Sequence, residues 1–173
     1  MAGRDISHLQ IGAHIGERGV YSNMFIRETI DNDLEHLSKS ITEGDLQELR
    51  VFNTEMTVIE ALKLSVENCE CYTISDEFGL VYAVGGTNDS GLAWFVTSTN
   101  IELLTRSEVR EFINLLKEHR DECLKVLPYL TNYISVYNIK HIKLLKLLGA
   151  TFYTTEFSDI LAFIIKRGDQ CAG

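Results

Sequence analysis

Proline is almost missing from this chain: Pro128 stands alone among 173 residues. No low-complexity tract accompanies it, so a disordered linker is not expected, and the length fits one domain. Long apolar runs are missing too. The longest uncharged one, 160–165, is far too short to span a bilayer, so no membrane association is expected. The opening MAGRDISHLQ lacks the basic-then-apolar order of a secretory signal. Positive charge is scarce: 16 basic against 25 acidic residues leave a net charge of −9, a surface that repels nucleic-acid phosphates. Zinc-ligand spacing is absent as well. The cysteines are Cys69, Cys71, Cys123 and Cys171; C-x-C is not a zinc-knuckle spacing, and no second close pair completes four ligands. No metal site is therefore expected. On a strand, Cys69 and Cys71 share one face as small packing side chains, which suits a reduced, cytoplasmic protein.

What is present is a sequence of well-punctuated elements. Residues 1–23 stand apart, with Gly3, Gly12, Gly16 and Gly19 and no sustained periodicity. His8 and His14 have no partner in a ligand spacing, and the segment reads as an N-terminal arm before a single domain at 24–173. MFIRETI (24–30) alternates like a half-buried strand. Asp31 and Asp33 offer capping oxygens to a helix near 34–40, and a second helix is expected across 54–67. CECYTISD (69–76), GLVYAVGGT (79–87) and GLAWFVTS (91–98) follow at short intervals, joined by Gly, Asn and Asp turns, as a meander. Thr105 with Glu108 forms a capping box for a long helix that runs to about Val126, and Pro128 ends it. YLTNYISVYN (129–138) alternates again, Asn138 caps a helix over 139–148, and Gly149 takes the left-handed turn after it. ATFYTTEF and DILAFIIKR close the chain.

The order is β-α-α-β-β-β-α-β-α-β-β. A helical crossover between 91–98 and 129–138 makes those two strands parallel neighbours in a mixed, mostly antiparallel central sheet flanked by helices, an α/β (α+β) fold. This order resembles the GNAT (acetyltransferase) fold over 24–167, and NIKHIKLLKLLGATF (138–152) is similar to that fold's asparagine-opened helix ending in glycine and an aromatic. A second resemblance overlies the first. WFVTS, the following charged helix, the N-Y-[VI]-x-V strand and H-I-x-x-L-K-x-x-G-A look like the small internal virion proteins of short-tailed, autographivirus-type phages. That resemblance implies a virion or infection-accessory role, with a phage or host protein as partner. It implies the host cytoplasm during infection, or the virion interior, as the location.

The GNAT resemblance also implies a site. Such enzymes hold acetyl-CoA where the fourth and fifth strands splay, with the pyrophosphate on amides of a Q/R-x-x-G-x-G/A loop at the start of the long helix. Here the corresponding TNIELLTRSEV (99–109) has no glycine and brings Glu102 and Glu108 to that place. The cofactor-binding set it leaves is Phe95, Val96, Thr97, Arg106, Ser107 and Asn138. Where many relatives carry a general-acid tyrosine, four residues before the glycine, this chain has Leu145. Tyr133 and Tyr137 are the substitutes and Glu70 the candidate base, beside the turn carboxylates Asp76 and Asp89. His141 is a lone helix histidine of the kind that usually lies at the surface or caps. Lys140, Lys143 and Lys146 share one helical face, read as solvated, with an anion contact as the sharper reading. The expectation is a GNAT-fold accessory protein with a degenerate acetyl-CoA site that acts mainly through protein contacts. The alternative is an active acetyl-CoA-dependent N-acetyltransferase acting on an amine of a host or phage protein.

Overall fold

The computed structural model describes residues 23–52 and 55–167; apart from Asn23, the expected N-terminal arm falls outside them, as does Cys171. The elements are β1 (Met24–Glu28), α1 (Asp31–Ser40), α2 (Glu43–Phe52), α3 (Val58–Glu67), β2 (Glu70–Asp76), β3 (Val81–Thr87) and β4 (Ala93–Thr97). A short 3-10 helix at Thr99–Leu103 then leads into α4 (Arg106–Val126), β5 (Tyr129–Ser135), α5 (Ile139–Leu147), β6 (Thr151–Thr154) and β7 (Ile160–Lys166). The expected order lacked α2. Its one buried residue is a carboxylate, Asp45, so no apolar stripe announces it.

Helix starts follow local hydrogen bonding. α1 begins at Asp31, three residues before the expected start, because Asp33 at its third position accepts the Ile30 N–H at 3.0 Å. The same carboxylate takes two hydrogen bonds from the Arg27 guanidinium, at 2.6 and 2.8 Å, and one from the Thr73 hydroxyl at 2.9 Å. Burial alone would raise the Asp33 carboxyl, but Arg27, Ile30 and Thr73 together hold it below its usual range. α3 opens at Val58 rather than at 54, since Thr57 and Glu60 satisfy each other's free backbone amides.

The strands form two antiparallel sheets, β1-β2-β3-β4 and β5-β7-β6, where one sheet was expected. The parallel β4–β5 contact is confined to one bridge at Leu92 and Thr131. There the Thr131 N–H donates to the Gly91 carbonyl at 2.8 Å, and Asn132 Nδ2 to the Ala93 carbonyl at 3.0 Å. Gly91 has φ +83° and lies so close to Tyr129 that a Cβ would sit 2.5 Å from its carbonyl oxygen, so only glycine fits at the crossing. Beyond the bridge the two strands diverge.

Alternation sends neighbouring side chains to opposite faces. On one face α4 and α5 pack Leu124, Leu145 and Leu148 against Leu130, Ile134, Phe163 and Ile165. On the other, α1 and α3 pack Leu34, Leu37 and Leu62 against Val81, Val84 and Val96. Each such side chain contributes about 1.5–3 kcal/mol of burial. No described helix is long and apolar enough to cross a membrane.

Candidate functional site

The divergence of β4 and β5 leaves edge backbone groups that need partners, and α2 supplies two of them. The Thr97 N–H, at the end of β4, donates to Asp45 Oδ2 at 2.7 Å, and its hydroxyl reaches the same oxygen at 2.6 Å. The Glu48 carboxylate lies against the Ser135 amide, at the end of β5. Asp45 and Glu48 are one helical turn apart, so each side of the opening is held by the same helix. The N-terminus of α5 completes the seam. Asn138 Nδ2 donates to Asp45 Oδ1 at 2.8 Å and to Glu48 Oε2 at 2.7 Å, and its Oδ1 lies at 3.4 Å from the His141 N–H as the helix cap. His141 Nδ1 lies 3.0 Å from Asp45 Oδ1, and its ring rests on Phe95 with centroids 3.9 Å apart.

The electrostatics of the two carboxylates diverge. Burial pushes both up, yet at Asp45 the hydrogen bond and charge of His141, with Thr97 and Asn138, overcome it and hold the carboxyl well below the usual range. At Glu48 burial prevails over the Asn138 bond, the His141 charge and the Ser135 amide, and the carboxyl is raised.

Asp45, Glu48 and His141 can bring one ligand atom each within 4.8 Å of one another, a spacing for a metal that the sequence did not suggest. The Asn138 amide nitrogen stands among them, 2.8 Å from Asp45, 2.7 Å from Glu48 and 3.4 Å from His141 Nδ1. Its protons therefore occupy the place where a cation would have to bind, and the donor set is that of a hydrogen-bonded knot.

Behind the seam lies a cavity of about 300 Å³ whose walls include Phe52, Leu62, Trp94, Phe95, Val96 and Tyr133. Of the residues expected from sequence, the structure gathers Phe95, Val96 and Tyr133 around this cavity and commits Thr97 and Asn138 to the seam. Tyr137 is 74% exposed after β5, and Glu70 is exposed at the start of β2; neither borders the cavity. Arg106 and Ser107 are exposed at the first two positions of α4. Leu145 is 2% exposed and belongs to the core, so that position faces packed side chains. Lys140, Lys143 and Lys146 are all exposed, as the solvated reading expects, and Lys140 Nζ pairs with Glu102 at 3.0 Å.

The segment that would have to cradle a pyrophosphate uses five of its amides internally. The N–H of Asn100 goes to the Ser98 hydroxyl, that of Ile101 to the Ser98 carbonyl and that of Leu104 to the Ile101 carbonyl. The Thr105 N–H goes to Glu108 Oε2 at 2.7 Å and the Glu108 N–H to Thr105 Oγ1 at 3.3 Å. The Glu102 and Glu108 carboxylates stand there as well, where like charge opposes a pyrophosphate.

Two sheets that part after one parallel contact, with a long helix between the parting strands, define the GNAT acetyltransferase fold. The spermidine N-acetyltransferase of Vibrio cholerae, solved with CoA and spermine, superposes with a TM-score of 0.59 at 12% identity, over 83% of this chain and 95% of that one. The acetyltransferase of Agrobacterium tumefaciens str. C58 does so at 0.59 and 14% identity, over 95% of this chain and all (100%) of that one. At such identities the likeness is one of fold. Sequence narrows it further: residues 70–158 match the family described as Bacteriophage T7, probable scaffold protein Gp13. The "Probable scaffold protein gp13" of Escherichia phage T7 is 33% identical over 147 residues, 84% of this chain and 99% of that protein. The chain belongs to this family.

Sequence reasoning missed Asp45 and Glu48. The signal available was their i, i+3 spacing in EGDLQEL, visible only after that stretch is taken as a helix.

Proposed function

We propose that this chain is a phage virion-assembly protein that works through contacts with other phage proteins, in the host cytoplasm or the virion interior, and that its acetyl-CoA cleft is degenerate. The observation that carries the reading is the seam: the Asp45 carboxylate takes the edge amide of Thr97 and Glu48 stands against that of Ser135, where β4 and β5 would otherwise present them to a ligand. The self-satisfied, carboxylate-bearing turn before α4 supports it, and so does membership of a family described as scaffold proteins. Isothermal titration with acetyl-CoA tests it. No saturable heat is expected up to millimolar cofactor; sub-micromolar saturable binding refutes the reading.

One observation favours acetyl transfer instead. His141 stands at the same opening with Asp45 behind it, an arrangement suited to taking a proton from an amine. On that reading, acetyl-CoA with phage or host lysate gives acetylated protein by mass spectrometry, and the His141→Ala variant does not.

A further inference from the structure

We infer that His119 and Cys123 of α4, with Glu70 of β2, bind a thiophilic divalent cation of the zinc class. The inference stands apart from the reading of the cleft above and does not depend on it.

Placement comes first. His119 and Cys123 are one turn apart in α4, so their side chains leave the helix on the same face. Cys123 Sγ lies 3.7 Å from His119 Nε2. Zinc holds sulfur at about 2.3 Å and nitrogen at about 2.0–2.1 Å, which sets tetrahedral neighbours about 3.6 Å apart. The two atoms thus already have the separation of two ligands on one ion. The sheet supplies a third. Tyr72 stacks against the His119 ring with centroids 4.8 Å apart, and the Thr87 hydroxyl lies 4.0 Å from Cys123 Sγ. Glu70 is two residues before Tyr72 on β2 and directly opposite Thr87 on β3, so it shares the sheet face that meets this part of α4. It is exposed and has no hydrogen-bond or ion-pair partner among the described residues, so its carboxylate is free to turn over the pair. Glu122, beside Cys123, is held instead by Lys125 at 2.5 Å.

The chemistry of the pair selects the ligand. Burial lowers the His119 imidazole, which keeps its lone pair available at pH 7. Burial raises the Cys123 thiol, and the charges of Glu70 and Glu122 add to that. A Cys–His nucleophile needs the reverse, a thiolate beside an imidazolium. Here the proton stays on sulfur until a cation that binds thiolate displaces it to solvent. Magnesium and calcium take oxygen ligands and do not do so; a nitrogen, sulfur and oxygen donor set suits zinc. Cys71 takes no part. It neighbours Tyr72 on β2 and so points to the other face of the sheet.

The full, reduced chain is titrated with Co²⁺, which reports thiolate ligation by a near-ultraviolet charge-transfer band, and then with Zn²⁺ in competition. Saturable Co²⁺ binding is expected, with that band and the strong visible bands of a tetrahedral ion, and Zn²⁺ should displace it. Cys123→Ser should abolish the charge-transfer band, and Cys71→Ser should leave it in place. His119→Gln and Glu70→Gln should each weaken binding by about tenfold or more, the range in which even outer-shell changes fall. Iodoacetamide labelling read by mass spectrometry needs no variant and serves if one does not fold. Zn²⁺ should slow modification of Cys123 by about tenfold or more, since a ligated thiolate is withdrawn from attack, and leave Cys69 and Cys71 as they were. Binding without the thiolate band places the ion on other groups, such as the carboxylates of the seam, and overturns the inference. So do a band that survives Cys123→Ser or vanishes with Cys71→Ser, unchanged affinity in His119→Gln or Glu70→Gln, and labelling of Cys123 that Zn²⁺ does not slow.

Discussion

Replacing Asp45 by alanine removes one carboxylate that serves four donors, of which the Thr97 N–H has no second acceptor among the described residues. The Thr97 N–H and hydroxyl, Asn138 Nδ2 and His141 Nδ1 lie 2.6 to 3.0 Å from its two oxygens, and Asp45 is 4% exposed, so water does not readily take its place. Hydrogen bonds to a charged acceptor contribute about 1.5–3 kcal/mol each, but they share one anchor and do not add. Breaking a buried ionic cluster by removing one partner costs about 3–5 kcal/mol. For a chain of this size that is a fall in Tm on the order of 10 °C, read by circular dichroism at pH 7. The pH dependence supplies the second reading. Because the Asp45 carboxyl is held below its unfolded value of about 3.9, its contribution is complete above that value and is lost as pH falls further. The wild type should therefore lose stability more steeply below about pH 4 than Asp45→Ala does. A variant that melts within about 2 °C of the wild type, with an unchanged acid limb, would mean that α2 does not hold the two strand edges.

Gly44→Ala tests the same seam from the helix side: a Cβ would stand 2.7 Å from Asn138 Oδ1, which the cluster prevents from yielding. Although alanine favours helix by about 1 kcal/mol, the net effect should be a loss of about 1 kcal/mol or more in a urea titration. Lys140→Ala and Glu102→Ala should leave the urea midpoint unchanged, since their ion pair is 85% and 52% exposed and water screens it. Leu145→Tyr, which restores the residue type many acetyltransferases carry there, should destabilise by about 1–3 kcal/mol through overpacking. It should confer no acetyl transfer in a coupled thiol assay, because this position is buried among Leu124, Leu130 and Phe163.

The scaffold was legible where local chemistry and tertiary context agree. Thr105 with Glu108, Asn138 before α5 and Gly149 at φ +88° each do what their residue type announces. The meander and the crossover to β5 followed from alternation and turn residues. Two things were not legible. α2 buries a carboxylate rather than an apolar stripe, so hydrophobic periodicity passes over it, and with it passed the seam. The parting of β4 and β5 after a single bridge depends on a close approach at Gly91 and Tyr129, residues 38 positions apart in sequence, which neither strand's pattern encodes. The site suffered accordingly. Its strand residues Phe95, Val96, Thr97 and Tyr133 could be named from the pattern, while the carboxylates beside them could not. His141 looked like an ordinary helix histidine until the fold set it against a residue 96 positions earlier.

That separation governs when the molecule can finish folding. Asp45 meets Thr97 across 52 residues, and Asn138 and His141 across 93 and 96. During synthesis α2 leaves the ribosome third among the elements named here, but its carboxylates have nothing to close upon until the chain past residue 141 has followed. Until then the outer edge of β4, the one away from β3, stays open to any extended chain nearby, including other copies still being made. Closure of the seam thus waits on α5: only a chain that has reached His141 can complete the cluster over the Thr97 edge.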